Sequence, residues 1–311
     1  MKILIYGAGV IGSMFAYKLK TGGVDTTILA RGKRLNDIKQ YGLIIEDGLF
    51  NKEYTTDIKV VDQLNREDYY DIILVIMQRQ QVSQILPILK ENKSPIIIFM
   101  GNNPSGASEY LQYVERKRIL LGFGGPGGYR EDFKIIAAYV DNVILYVGEL
   151  DGIISKRLKL IEDVFTNSGI KVDLSEDIDA WLKCHAALIS PLAMGGYAAR
   201  NRNTSLGKDT ELVNLAIKGI KESIKALREL DIPILPRKFR SLLLIPKSII
   251  KKKLVKLSES DFGRIALSGH ANAARSEMKR LADDFYEVIK PAKIEMNTFQ
   301  KLYELSFGLD I

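Results

Sequence analysis

Near the start of the chain, Gly7-Ala8-Gly9-Val10-Ile11-Gly12 follows directly on the apolar run Ile3-Leu4-Ile5-Tyr6. Glycines at this spacing, where a strand hands over to a helix, suit the binding of a pyrophosphate. Gly7 makes the tight turn, Gly9 lets backbone N–H groups approach the phosphates, and Gly12 lets the helix close on the sheet. The unbonded N–H groups and positive dipole end of that helix then face the anion. Asp25-Thr26-Thr27-Ile28-Leu29-Ala30 reads as a second strand and completes a βαβ unit, so all six residues of the glycine stretch are expected to bind a dinucleotide.

The end of that second strand bears on which dinucleotide. NAD enzymes place an acid there to accept from the adenosine ribose 2′-hydroxyl. This chain instead runs Ala30-Arg31-Gly32-Lys33-Arg34, with no carboxylate before Asp37. A guanidinium binds a 2′-phosphate in a charge-assisted fork, whereas an acid repels it. Arg31 is therefore expected to read the 2′-phosphate, with Lys33 or Arg34 in support, and the expected cofactor is NADP. A solvated basic turn after a strand is the alternative.

These residues need elements to position them. At 311 residues, with 46% hydrophobic and 27% charged residues, the chain has room for two globular domains. Asp71 to Met77 and Ser94 to Met100 are continuous apolar runs, as strands buried on both faces require, with helical pattern from about Gln81 to Lys90 between them. Gly42 to Ile45, Thr55 to Val60 and Arg118 to Gly122 supply further strands, and Lys134 to Val140 with Val143 to Val147 reads as an antiparallel pair closing the sheet. From about Ser155 the apolar period lengthens to that of helices, as over Thr210 to Leu230 and Asp261 to Ile289. The expected fold is an α/β N-terminal Rossmann domain, a doubly wound parallel sheet that binds NADP, over residues 1–168. An all-α C-terminal domain follows over 169–311, expected to serve substrate binding and dimerisation, with a homodimer left open.

The composition narrows the partners. One cysteine, Cys184, and two histidines leave no disulfide framework and no expected metal site. No apolar run has membrane-spanning length and the first strand begins at Lys2 without a leader, so no membrane partner and a cytoplasmic setting are expected. Eight basic residues and no acidic one lie between Asp231 and Glu259, against a net charge of +7 for the whole chain. They interleave with Leu242 to Ile245 and with Ile249-Ile250, as an amphipathic helix broken near Pro246. That stretch reads as a solvated face, or as a means of attracting an anionic substrate or an acidic partner. Nucleic acid is not expected, because no aromatic interleaving or recognition motif accompanies the charge.

Over nearly its full length the chain resembles the ketopantoate reductase family, which reduces 2-dehydropantoate to pantoate with NADPH on the route to pantothenate. The resemblance rests on the opening residues Lys2 to Gly12, on Leu29-Ala30-Arg31-Gly32, and on Asp71 to Ser83 with its Gln81-Val82-Ser83. It rests also on Trp181-Leu182-Lys183, and on Arg275-Ser276-Glu277-Met278, similar to the family's Arg-Thr-Glu-Ile. It implies that Lys183 is the catalytic lysine. Hydride delivered to a ketone carbon leaves an alkoxide, which an ammonium stabilises and then protonates. It implies that Glu277 is the acidic partner, a surface ion pair with Lys279 or Arg280 being the other reading. Gln78 stands where the family carries a cofactor lysine. Met100 replaces an asparagine before Gly101, with Asn102 and Asn103 just beyond; Gln78, Gly101 and Asn102 are thus expected at the cofactor.

The chain departs from the family at Ala187 and Pro191, where the resemblance calls for asparagines that hydrogen-bond pantoate. Substrate-binding polar groups are then expected from Ser190, Ser268, His270 and Asn272. His270 shares a helical face with Glu277, with Ala273 and Ala274 between. His185 shares a face with Trp181 and Leu188 and reads as a core histidine, and Cys184 as a small buried hydrophobe. The expected function is NADPH-dependent reduction of a 2-oxo acid, like that of 2-dehydropantoate 2-reductase. The alternatives are a different 2-oxo acid on the same scaffold, or a non-catalytic NADP-binding sensor.

Overall fold

The computed structural model describes residues 1–125, 127–265 and 274–308. It divides into two compact units, Met1–Gly101 with Ala107–Ile178, and Asn102–Gly106 with Asp179–Ile311.

In the first unit, β1 (Lys2–Tyr6) is buried at every residue but its first. A strand covered on both faces carries just such an unbroken apolar run. It lies between β2 (Asp25–Leu29) and β6 (Ile72–Ile76), parallel to both. β5 (Lys59–Val61) continues the sheet beyond β2. On the other side follow β7 (Ile96–Met100), β8 (Ile119–Gly125), β11 (Ile144–Gly148) and β12 (Lys171–Leu174). The order is β12-β11-β8-β7-β6-β1-β2-β5, with β11 antiparallel to β8 and the other pairings parallel. The chain runs outward from β1 to β2 and β5, then crosses back to β6. Strand order therefore reverses between β1 and β6, the place where open α/β sheets leave a crevice at their carboxyl ends.

Helix α1 (Val10–Thr21) links β1 to β2, and α2 (Gly32–Tyr41) follows β2. A second, four-stranded sheet is built from β3 (Leu43–Asp47), β4 (Lys52–Thr56), β9 (Gly128–Glu131) and β10 (Lys134–Ala137), in the order β4-β3-β10-β9. Helix α1 serves both sheets. Its Met14 and Phe15 share one core with Ile3, Ile5, Leu74, Leu43 and Ile135. Its Tyr17 packs edge-on against Tyr54 at 5.5 Å, and Lys18 pairs with Asp141 at 3.0 Å.

The parallel sheet with its helices, and the helical region after it, are as the sequence pattern predicts; several details differ. Lys134 to Val140 and Val143 to Val147 do not pair: β10 joins the second sheet and β11 the first. Buried Asp47 of β3 accepts from the Val140 N–H at 2.9 Å, which draws this turn toward the second sheet. Thr55 to Val60 likewise divides between β4 and β5. The helix from Gln81 to Lys90 is two short ones, α3 (Arg79–Val82) and α4 (Leu86–Glu91). Pro87 opens the second, since a residue without an N–H suits a first helical turn. The sequence pattern places the division after residue 168, whereas the first compact unit runs on to Ile178. Both α5 (Lys156–Asn167) and β12 belong to the first unit, where β12 pairs with β11, so the division comes at Ile178.

The second unit is helical. Its elements are α6 (Ile178–Asn201), α7 (Thr210–Glu229), α8 (Lys247–Glu259), α9 (Arg275–Ile289) and α10 (Asn297–Phe307). Asp209 caps α7 by accepting from the Leu212 N–H at 3.0 Å, and Glu222 accepts from the Thr298 and Phe299 N–H groups at the start of α10. Both satisfy N–H groups that a helix start leaves without partners. Tyr197, Phe285, Phe299, Leu302 and Tyr303 fill the core. The basic stretch forms a short 3-10 segment (Arg237–Leu243) and then α8, which begins after Pro246. Of Asp261 to Ile289, the part from 266 to 273 lies outside the described residues.

Candidate functional site

The glycine stretch forms the turn from β1 into α1, at the reversal of strand order. Gly7 adopts φ +125°, and a methyl group there would stand 2.1 Å from the Ile76 carbonyl oxygen of β6. One on Gly12 would stand 2.0 Å from the Gly7 carbonyl oxygen. Both ends of the turn are thus closed by backbone. Gly9 differs: it is exposed, and a methyl group there would meet nothing within 4 Å among the described residues. Gly9 is the N-cap of α1, with no side-chain cap and no acidic residue in the first turn. The helix start keeps its positive character on the open side of the turn. This arrangement of Gly7, Ala8, Gly9, Val10, Ile11 and Gly12 fits a pyrophosphate.

Arg31 is the N-cap residue of α2 and is exposed. Its Nη2 donates to the Tyr6 hydroxyl at 3.1 Å and its Nε to the Asp62 carbonyl at 3.4 Å, which holds the guanidinium beside the ends of β1 and β2. Lys33 is also exposed and reaches Asp37 at 3.5 Å. Arg34, expected to support Arg31 at a 2′-phosphate, is buried instead. Its three donor contacts all go to the protein, because its position in the first turn of α2 points it inward. Gln78 stands at the N-cap position of α3 without a side-chain cap, and its side-chain oxygen accepts from the Gln80 amide at 2.8 Å. Gly101 ends β7 at φ +140°, with its N–H donating to Gly122 at 3.2 Å.

In the second unit, Lys183 of α6 is ion-paired to Asp179 one turn earlier, with only 14% of its side chain exposed. Gly106 makes room for Asp179: it takes φ +71°, and a methyl group there would lie 2.8 Å from Asp179 Oδ1. Asp179 is a residue the sequence reading missed, though its i−4 spacing from Lys183 is a signal for such a pair. Glu277 is 8% exposed and accepts from the Asn102 side-chain amide at 3.0 Å. Lys183 and Glu277 thus each carry a different partner. Lys279 and Arg280 pair with Asp283 and Asp284, not with Glu277. Asn102, expected at the cofactor, belongs to this second unit, where it bonds Glu277.

Arg275 explains how Glu277 is placed. A cation in the first turn of α9 opposes the helix dipole. Its side chain runs instead to the C-terminal end of α10, donating to the Ser306 carbonyl at 2.5 Å, with its guanidinium over Tyr197 at 4.9 Å and Phe307 at 5.6 Å. Glu277 stands in the same first turn, where a carboxylate is favoured.

Ala187 and Pro191 are buried, and Pro191 lies against Gly219 of α7, where a methyl group would be 3.3 Å from Pro191 Cβ. Close helix packing occupies this part of α6. Ser190, 1% exposed, has a hydroxyl with no partner among the described residues, and Asn102 Oδ1 is likewise buried without one. Such groups are costly unless something fills the vacancy. Ser268, His270 and Asn272 lie outside the described residues. Cys184 is buried, its sulfur accepting from the Leu235 N–H at 3.3 Å. His185 is partly buried and stacks on Trp181 with ring centroids 5.3 Å apart. Among the described residues no helix is long and apolar enough to cross a membrane.

The first unit and its turn define a Rossmann-type dinucleotide fold. Residues 3–152 match the family model for ketopantoate reductase PanE/ApbA. A 2-dehydropantoate 2-reductase of Archaeoglobus fulgidus is 27% identical over 194 residues, 61% of this chain and 63% of that protein. The chain thus spans just under two thirds of that relative. One from Pyrococcus abyssi is 24% identical over 255 residues, 78% of this chain and 80% of that protein. Among solved structures, D-mandelate dehydrogenase with NADH and anilino(oxo)acetate superposes with a TM-score of 0.77 at 17% identity, covering 99% of this chain and 97% of the other. The 2-dehydropantoate 2-reductase of Porphyromonas gingivalis W83 gives 0.70 at 16% identity, covering 98% of each chain.

His185 yields a pH prediction. Burial pushes its imidazole down to about 4 from 6.5, so the unfolded chain binds this proton more tightly than the folded one. The neutral ring's contribution is complete above about pH 6.5 and is lost as the pH falls toward 4. Between pH 7 and pH 4 the unfolding free energy of the wild type should drop about 1–3 kcal/mol more than that of His185→Gln. Parallel pH profiles for the two proteins would contradict this.

Proposed function

We propose that the protein is a cytoplasmic, NADPH-dependent reductase of a 2-oxo acid, of the 2-dehydropantoate 2-reductase type. The observation that carries the reading is a glycine turn open at Gly9, with Arg31 standing where an NAD enzyme has an acid. The backbone from Gly7 to Gly12 would hold the pyrophosphate and Arg31 the 2′-phosphate, with Gln78 and Gly101 as further cofactor contacts. Bound NADPH supplies the hydride. Lys183, ion-paired with Asp179, donates a proton to the substrate oxygen as negative charge develops there. Glu277, held by Asn102, helps to orient the lysine and the substrate. The retention of Lys183 and Glu277 favours turnover over a sensor role. The helical unit would supply the substrate contacts, Ser190 and residues Ser268, His270 and Asn272 included, and the surface for a homodimer.

A second reading changes the substrate alone. Ala187 and Pro191 offer no side-chain hydrogen bond, and Pro191 is packed on α7. This favours a 2-oxo acid with fewer hydroxyls than ketopantoate, and the fold shared with a dehydrogenase of mandelate supports it.

Two variants test the proposal in NADPH oxidation with a panel of 2-oxo acids. Arg31→Ala should weaken NADPH about ten- to a hundredfold while changing NADH little, since a charge-assisted contact contributes about 1.5–3 kcal/mol. Equal losses for the two cofactors would remove Arg31 from the 2′-phosphate. Lys183→Ala should lower kcat by about a hundredfold or more with NADPH affinity kept. An unchanged kcat would end the catalytic assignment.

A further inference from the structure

Arg34 is 5% exposed, yet it carries a full guanidinium into the first unit. Its Nε donates to the Ala8 carbonyl at 3.2 Å, its Nη2 to Ser13 Oγ at 3.2 Å, and its Nη1 to the Phe133 carbonyl at 2.7 Å. One planar fork thus joins the glycine turn, the first turn of α1 and the loop between β9 and β10. The other end of α2 is held on the same loop, where Tyr41 stacks on Phe133 with ring centroids 4.6 Å apart.

The contact with Ala8 has a directional consequence. In a trans peptide the carbonyl and the following N–H point in opposite directions. With the Ala8 carbonyl turned to Arg34, the Gly9 N–H is turned away from it. We propose that Arg34 is a positioning residue for the dinucleotide site: it locks the Ala8–Gly9 peptide so that the Gly9 N–H faces the open side of the turn, where a pyrophosphate is received. Helix α2 then has two duties three residues apart, with Arg31 turned outward at its cap and Arg34 turned inward under the turn. The buried charge suits the role, because a fixed cation beneath an anion site stabilises the anion without needing to reorganise. Burial, and secondarily Arg130, lower Arg34 to about 10 against the opposing effect of Asp37, so it stays protonated at neutral pH.

The inference rests on the dinucleotide reading above, and the test separates the two. NADPH is compared with adenosine 2′-monophosphate, which has the 2′-phosphate and adenine but no pyrophosphate. Titrations use the wild type, Arg34→Gln and Arg34→Lys, with thermal melting to show that each is folded. Arg34→Gln should weaken NADPH about tenfold or more and leave adenosine 2′-monophosphate within about twofold, with Arg34→Lys close to Arg34→Gln because an ammonium cannot span the three acceptors. Equal weakening of both ligands, or none of NADPH, would overturn the positioning role while leaving the cofactor reading in place. A wild type that binds neither NADPH nor NADH would overturn both. Should the variants not fold, the Gly9 amide of the wild type is followed by NMR as NADPH is added. A large shift at Gly9 is expected, and an unmoved Gly9 amide would overturn the inference.

Discussion

The first unit depends on one close approach, that of Gly7 to the Ile76 carbonyl. A side chain at Gly7 would collide with that oxygen at 2.1 Å, so only glycine lets β1 end flush against β6. From this follow the sharp turn into α1, the stacking of Gly12 on the Gly7 carbonyl, and the placing of the helix start at the reversal of strand order. Everything the site can do with an anion derives from backbone held in this way. Arg31 and Arg34 add charge on either side of a geometry that the glycines create.

The second unit solves a different problem, the holding of charged groups in a largely apolar bundle. Lys183 and Glu277 are each supplied with one polar partner, Asp179 and Asn102. Arg275, the first residue of α9, ties that helix to the end of α10 and so fixes where Glu277 stands. The Ser190 hydroxyl and Asn102 carbonyl, without a partner among the described residues, mark buried polarity that those residues leave unsatisfied. Pro191 packs on Gly219, a helix contact at a position that offers no polar side chain.

Much of this was legible in the chain. The glycine turn, the buried parallel strands and the long helices announce themselves through local spacing and apolar period. The assignment of strands to two sheets was not legible, because adjacent strands such as β10 and β11 carry similar apolar patterns, and what separates them is non-local: the pairing of β10 with β3 and β9, and the capture of Val140 by Asp47. The local run Arg31-Gly32-Lys33-Arg34 likewise looks uniformly basic. Its residues part company only when the first turn of α2 directs Arg34 inward. Asp179 could have been found from its helical spacing to Lys183, whereas the Asn102–Glu277 pair joins residues 175 positions apart and has no local signature.

The central claim is that the glycine turn is closed at Gly7 and Gly12 for the fold and open at Gly9 for the cofactor. The most direct test is the NADPH affinity of Gly9→Val, measured beside its melting temperature. Gly9 has an ordinary φ of −75°, and no described residue stands within 4 Å of where its side chain would begin. The account therefore predicts a melting temperature close to that of the wild type and an affinity reduced about tenfold or more, as the new side chain blocks the approach of the phosphates. A Gly9→Val protein that binds NADPH as tightly as the wild type would contradict it.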